Sequence, residues 1–140
     1  MNPQVLIERG DFMGFRLKTS KKTQEIFEEI GKSSNLKPFA LSKIAISLSL
    51  KEKENIDNYI NEDVNGLELQ RTTITGENDA IFKALIEMRL QRNLSDDEYC
   101  PLYLKKHIDR GAEILDKNYK YAGGSLQKFL NYILRNKTGI

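Results

Sequence analysis

His107 is the one histidine of the chain, and Asp109 and Cys100 lie near it in the sequence. An imidazole beside a carboxylate or a thiol could act as a general base or activate a nucleophile. On a helix, however, residues two positions apart point in different directions, so His107 and Asp109 are not expected to face each other. One histidine cannot supply the usual zinc ligand set either. We therefore predict no catalytic residue, no metal site and no cofactor, and a helix-surface or capping role for His107.

Basic residues are concentrated at both ends of the chain, and they indicate binding to a nucleic acid rather than catalysis. Residues 1–53 hold ten Lys and Arg against six Asp and Glu, residues 54–99 hold four against eleven, and residues 100–140 hold eight against three. A fold that gathers the two basic segments on one side would bind phosphate backbones through counterion release, without reading sequence. The charges could equally be solvated helix faces that alternate in three dimensions.

The candidate DNA contacts follow from this charge pattern. Those on the predicted first strand and at the start of the first helix gain from the nearby backbone N–H groups and the helix dipole. Lys106 and Arg110 lie one helical turn apart, which suits a phosphate clamp. The full candidate set is Arg16, Lys18, Lys21, Lys22, Lys37, Lys43, Lys105, Lys106 and Arg110.

A second motif precedes a predicted helix. Thr73, Thr75 and Gly76 could hold a phosphate at the helix N-terminus, but the spacing of a nucleotide-binding loop is absent and Glu77 would repel an anion. Helix capping by Thr75 is favoured. Arg71 could instead pair with Glu77 or Asp79 and fix the loop against the core, which requires no chemistry.

Hydrophobic periodicity gives the elements that position these residues. Alternation over 15–19 predicts a short strand, and helical spacing predicts helices over about 21–32, 38–54, 80–89, 101–117 and 126–136, with a polar loop over 55–70. Thr19 or Ser20 should cap the first helix, and Pro101 should lie in a first turn or kink a longer helix. The predicted buried positions of the two central helices are Ile81, Phe82, Leu85, Ile86, Met88, Leu102, Leu104, Ile108, Ala112 and Leu115.

These elements define the expected fold class. The chain is predicted to be mainly α, a single compact helical domain over residues 1–140 with one short strand and about five helices. The order strand, helix, turn, helix resembles a ribbon-helix-helix core, in which the strand pairs with that of a second copy. A homo-oligomer is therefore one option, although a monomer could also bury the strand edge.

Composition indicates where such a protein works. Of the 140 residues 39% are hydrophobic, and the one cysteine, Cys100, excludes an intrachain disulfide. The apolar run at residues 5–7 is far shorter than a signal peptide requires, and no run approaches a membrane span. We expect a cytoplasmic protein without membrane contact.

Three stretches resemble the DndE family of bacterial DNA phosphorothioation (sulfur-modification) systems. They are residues 33–38 followed by 45–50, residues 66–80, and residues 107–111. The most specific is Arg71-x-Thr73-x-Thr75-Gly76-Glu77-x-Asp79, and the last matches at His107, Arg110 and Gly111. Leu36-Lys37-Pro38 departs from the family's Leu-Thr-Pro, and residues after about Lys117 are not covered.

The resemblance implies a small helical protein with a ribbon-helix-helix-like core, which acts in a restriction-modification setting. Its partners would be DNA and the other proteins of the complex, which replace a non-bridging phosphate oxygen with sulfur. The leading hypothesis is a non-catalytic DNA-binding accessory subunit, with intact or nicked duplex as target. The alternatives are a ribbon-helix-helix regulator, which would bind one operator tightly, and a protein-interaction subunit without DNA binding.

Overall fold

The computed structural model describes residues 15–137. The apolar run at residues 5–7, on which the export prediction rests, lies outside that range. The elements in chain order are β1 (Arg16–Lys18), α1 (Lys21–Ser34), α2 (Pro38–Leu50), β2 (Glu68–Gln70), α3 (Arg71–Ile74), α4 (Asp79–Leu90), α5 (Asp96–Glu98), α6 (Lys105–Tyr121) and α7 (Leu126–Lys137). Short 3-10 turns cover Ile56–Asn58 and Gly76–Asn78. The prediction of a mainly helical domain is confirmed.

The first two helices begin where the sequence predicts. Ser20 caps α1 by accepting a hydrogen bond from the backbone N–H of Thr23, which satisfies one of the four unpaired donors of the first turn. Pro38 occupies the first turn of α2, where its missing N–H has no cost. Both helices bury apolar side chains in the core, among them Phe27 and Ala45.

Helix α6 is the centre of the fold and packs against both α1 and α2. Gly111 makes a close approach to α2 possible, since a Cβ at this position would lie 1.8 Å from the carbonyl oxygen of Ala45. Leu104, Ile108 and Leu115 are fully buried here, as predicted. Leu102 is exposed, contrary to the prediction.

A π-helical stretch over Tyr99–Leu104 joins α5 to α6. Pro101 lies inside it, and because proline has no backbone N–H it interrupts the regular hydrogen-bond ladder. The capping box formed by Ser95 and Glu98 begins this long helical segment. The segment therefore begins earlier than the predicted helix over 101–117.

Strand β1 pairs with β2 of the same chain. The pairing is antiparallel with Leu17 opposite Leu69, and β2 falls in the stretch that was predicted to be a loop. Gly66 permits the approach, because a Cβ there would lie 2.1 Å from the carbonyl oxygen of Ser20. Both strands of this two-stranded ribbon therefore come from one chain. The ribbon-helix-helix hypothesis predicted that β1 would pair with the same strand of a second copy.

Helix α4 differs most from its prediction. Ile86 is buried, but Ile81 is 59% exposed and Met88 is 72% exposed, and Leu85 also faces outward. Thr75 does not cap this helix, because it closes α3 instead and the 3-10 turn intervenes. The apolar spacing correctly indicated a helix, but most of its apolar stripe has no cover within the described residues.

Candidate functional site

A buried ion pair ties α6 to the start of α1. Asp109 accepts hydrogen bonds from the backbone N–H of Ser20 at 3.0 Å and from the hydroxyl of Thr23 at 2.6 Å. Lys105 donates to Asp109 at 2.5 Å and to the carbonyl oxygen of Asn61 at 3.0 Å. Lys105 is only 5% exposed, so its ammonium is held by protein groups. The prediction of a DNA contact at Lys105 is therefore corrected to a structural role.

Arg110 closes the end of α2. Its guanidinium donates to the hydroxyl and carbonyl oxygens of Ser49, at 2.8 and 2.7 Å, and to the carbonyl oxygen of Glu54 at 2.9 Å. Such bonds satisfy carbonyls that a helix C-terminus leaves unpaired. Arg110 is 8% exposed, while Lys106 lies 5.7 Å from the centre of the Tyr103 ring. The predicted phosphate clamp of Lys106 and Arg110 is therefore not formed.

His107 is buried rather than on the helix surface, which overturns its predicted role. Its Nδ1 atom lies 2.8 Å from the hydroxyl oxygen of Ser49. Burial, reinforced by the positive charges of Arg110 and Arg89, lowers the pKa of His107 to about 3. The imidazole is therefore neutral at pH 7. Asp109 and His107 have different partners, as their spacing predicted.

The remaining predicted cations lie nearer the surface. Lys18, Lys21, Lys22 and Lys37 are exposed, and Arg16 and Lys43 are half-buried. Arg16 lies 3.5 Å from Glu68, and Lys22 lies 3.5 Å from Glu113. The backbone N–H of Lys21 donates to the carboxylate of Asp63 at 2.9 Å.

The hydrogen bond between Lys21 and Asp63 bears on the predicted role of the α1 N-terminus in phosphate binding. The N–H groups of Lys21 and Thr23 already donate to Asp63 and Ser20, so they are not available to a phosphate. The negative charge of Asp63 also opposes an anion at this point. The predicted contribution of the helix N-terminus to phosphate binding is corrected, and only the lysine side chains remain as candidates.

The motif over residues 71–79 forms a structural cluster. Arg71 donates two hydrogen bonds to Asp79, at 3.0 and 2.6 Å, and a third to Asp96 at 2.9 Å. Its guanidinium lies 4.7 Å from the centre of the Tyr99 ring. Thr75 donates to Asp79 at 2.6 Å. Arg71 thus connects α3, α4 and α5. Of the two carboxylates that the sequence analysis offered as its partner, Glu77 and Asp79, it pairs with Asp79.

The charges of this cluster stabilise one another. Burial opposes ionisation of Asp79, but the hydrogen bonds from Arg71 and Thr75 outweigh it and lower the pKa of Asp79. The hydrogen bond from Arg71 likewise lowers the pKa of Asp96. Thr73, Gly76 and Glu77 are exposed, and Gly76 has a φ of +50°, a value that favours glycine. The motif therefore shapes the turn into α4.

Sequence reasoning missed the partners of these side chains. Ser49, Asp63 and Asp96 were not singled out as ligands of buried cations or of backbone N–H groups. Ser49 carried one usable signal, since a polar residue in the apolar stretch of α2 needs a buried hydrogen-bond partner. Asp63 lies in a polar loop and Asp96 is the first residue of the short helix α5, and at neither position does the sequence indicate a distant partner.

Neither a metal centre nor a membrane span is evident in the described part of the chain. Within residues 15–137, no group of three or more His, Cys, Asp or Glu side chains could hold a metal ion. No helix in the same range combines the length and apolarity needed to cross a bilayer.

Comparison with known proteins identifies the relationship. The search among curated proteins finds no match. The family model described as "DNA sulphur modification protein DndE" matches residues 16–137, which includes all the elements described above. That match also covers the last helix, which the sequence resemblance left out. The chain therefore belongs to the DndE family of DNA sulfur-modification proteins.

Proposed function

We propose that this chain is a non-catalytic accessory subunit of a DNA sulfur-modification complex, and that it binds the DNA backbone through exposed lysines. Its partners are then DNA and the other proteins of the system. Membership of the family supports a role in DNA sulfur modification. The observation that carries the DNA contact is a group of exposed lysines, Lys18, Lys21 and Lys22, where β1 passes into α1; we call it the basic corner.

The lysines of the basic corner can exchange their present contacts for phosphate. Lys18 has no carboxylate partner within residues 15–137, and Lys21 contacts the uncharged side chain of Gln24. Lys22 pairs with Glu113, but its side chain remains 64% exposed. An exposed ion pair of this kind contributes about 0–1 kcal/mol, so a phosphate can replace it. Arg16, Lys37, Lys43 and Lys106 would add peripheral contacts.

The state of the reactive side chains supports the non-catalytic part of the proposal. Sulfur transfer needs a thiolate or a similar nucleophile, and Cys100 is the one cysteine. Cys100 is buried, and burial raises its pKa to about 12, which keeps it a neutral thiol. His107 is buried and neutral as well. We therefore assign the sulfur chemistry to the partner proteins in this proposal. The proposed location is the cytoplasm, where a free thiol such as that of Cys100 stays reduced.

The experiment is a binding titration with purified protein. Fluorescence anisotropy would measure affinity for intact duplex, nicked duplex and single-stranded DNA of two unrelated sequences. The test variant is Lys18→Gln/Lys21→Gln/Lys22→Gln. The matched control is Lys117→Gln/Lys120→Gln/Lys128→Gln, which removes the same charge from exposed positions on α6 and α7.

The proposal expects similar affinity for the two sequences and at least a tenfold loss in the basic-corner variant, with a much smaller loss in the control. Equal losses in both variants would show a general charge effect and contradict a localised contact. Tight binding to one sequence alone would support the operator-binding regulator, although β1 already pairs within its own chain.

A second candidate function is protein docking without DNA binding. The observation in its favour is the exposed apolar stripe of α4, formed by Ile81, Leu85 and Met88, within the acidic part of the chain. Undetectable DNA binding at low salt, together with loss of complex assembly in Ile81→Ser/Met88→Ser, would favour this role.

A further inference from the structure

A cleft of about 470 Å³ opens where the segment after α2 meets α4 and α6. Its lining includes Lys53, Met88, Arg89, His107 and Arg110. Clefts that bind small molecules commonly measure about 300–1,000 Å³ and carry a few convergent polar groups. None of the exposed lysines of the basic corner lines it.

His107 has one ring nitrogen without a partner. The residue is 1% exposed, and its Nε2 atom has no hydrogen-bond partner among the described residues. Buried polar atoms are almost always hydrogen-bonded, so an unpaired one calls for a ligand or an ordered water. Because the ring lines the cleft, such a ligand would lie in the cleft.

The hydrogen bonds of Ser49 fix which nitrogen carries the proton. Arg110 Nε must donate to the Ser49 hydroxyl oxygen, because a guanidinium has no acceptor. Of the two side chains that contact that hydroxyl among the described residues, only His107, through Nδ1, can accept its proton. Nδ1 is therefore the acceptor, and Nε2 carries the ring hydrogen as a neutral donor.

The charges around this donor are mostly positive. Lys53 and Arg89 are exposed cations on the wall, and three of the five N–H groups of Arg110 are used by Ser49 and Glu54. Glu54 is the one acidic residue of the lining. Its carboxylate accepts a hydrogen bond from Asn58 at 2.6 Å, which turns it toward the 3-10 turn.

We propose that this cleft binds a phosphate group, with Lys53 and Arg89 neutralising its charge and Arg110 and His107 Nε2 donating hydrogen bonds. The phosphate belongs to a small phosphorylated molecule or to a DNA strand, since both present the same oxygen atoms. Nε2 itself has less than 1 Å² of exposed area, so binding requires a side-chain shift at the wall. Met88 and Arg89 are long, unbranched and exposed, and can make that shift. The site is separate from the basic corner and does not depend on its DNA contact.

The test uses the full chain with inorganic phosphate, adenosine monophosphate and a short DNA duplex as probes. Nitrogen-15 NMR would follow His107 Nε2, and calorimetry would give the affinities. The test variant Lys53→Gln/Arg89→Gln removes the exposed cations of the cleft. The control Lys51→Gln/Arg92→Gln removes the same charges from neighbouring residues that do not line it.

The proposal expects phosphate to shift the Nε2 resonance and to bind at least tenfold more weakly to the test variant, with less than a twofold change in the control. If the test variant also loses at least tenfold in duplex affinity, the natural phosphate is that of DNA. If the test variant binds only inorganic phosphate and adenosine monophosphate more weakly, the natural phosphate is that of a small molecule. An Nε2 resonance that millimolar phosphate does not shift, or equal losses in both variants, would overturn the site. If the basic corner does not bind DNA, its triple variant will keep the duplex affinity of the original protein, while phosphate will still shift the His107 Nε2 resonance.

Discussion

Replacing Gly111 by alanine tests the close packing of α6 against α2. A Cβ at position 111 would lie 1.8 Å from the carbonyl oxygen of Ala45, whereas real Cβ contacts are essentially never under 3.0 Å. Helices α2 and α6 must therefore separate locally by about 1.2 Å. The atom in the way belongs to the backbone, so no side-chain rotation can relieve the clash.

The size of the effect follows from two opposing contributions. Overpacking of a dense core commonly costs about 1–3 kcal/mol. Alanine in place of glycine inside a helix contributes about 1 kcal/mol in the stabilising direction. Since this contact is far shorter than usual, the first contribution should dominate, and we expect Gly111→Ala to lower the free energy of unfolding by about 2 kcal/mol or more.

Urea denaturation followed by circular dichroism would measure the change. Gly31→Ala is the matched control, because it also lies in a helix but its Cβ would be 3.1 Å from the nearest atom, the Leu36 carbonyl oxygen. That variant should change stability by less than about 1 kcal/mol. A Gly111→Ala protein as stable as the original, or more stable, would refute the account of how α2 and α6 pack.

Three further predictions concern the buried polar groups. Arg71→Gln should lower stability by about 2 kcal/mol, because Asp79 and Asp96 lose their charged donor. The depressed pKa values of these carboxyls add stability above about pH 4 that is lost as pH falls through their folded pKa, so the variant should show less acid sensitivity there; equal acid curves would contradict the pairing. Because His107 has a folded pKa of about 3, the unfolded chain binds the extra proton first on acidification, and stability should fall by about 2 kcal/mol from pH 7 to pH 5. His107→Gln should remove that slope in pH-dependent urea melts, and an unchanged slope would assign it to other groups. The Cys100 thiol, with its pKa raised by burial to about 12, should react with a disulfide reagent far more slowly in the native protein than in urea, and equal rates would contradict its burial.

The sequence predicted the helices well because their signals are local. The cap at Ser20, the proline at the start of α2 and the apolar spacing of α6 all lie within a few residues of the elements they define. Strand β2 was missed although Leu67 to Gln70 alternate apolar and polar residues, as the segment around β1 does. The turn-forming residues Asn65 and Gly66 precede it, and the whole stretch over 55–70 was therefore assigned to a polar loop. The existence of β2 depends on pairing with β1, about fifty residues earlier.

The polar contacts could not be predicted for the same reason. Lysine and arginine are seldom buried, so Lys105 and Arg110 were assigned to the surface. Their burial depends on Asn61 and Ser49, which lie 44 and 61 residues away in the sequence. The exposure of the apolar stripe of α4 was mispredicted for a related reason. Periodicity shows that a helix has an apolar face, but it does not show whether another part of the chain covers that face.

The salt dependence of DNA binding tests the central claim most directly. The logarithm of the binding constant for a duplex of arbitrary sequence would be measured against the logarithm of salt concentration between about 50 and 200 mM. Each phosphate contact contributes a slope of about −0.9, so losing the three lysines of the basic corner should make the slope shallower by about 2.7. A steep slope in the original protein that becomes shallower in Lys18→Gln/Lys21→Gln/Lys22→Gln is the predicted result. Duplex binding with the same slope in both proteins, or no binding at 50 mM salt, would contradict it.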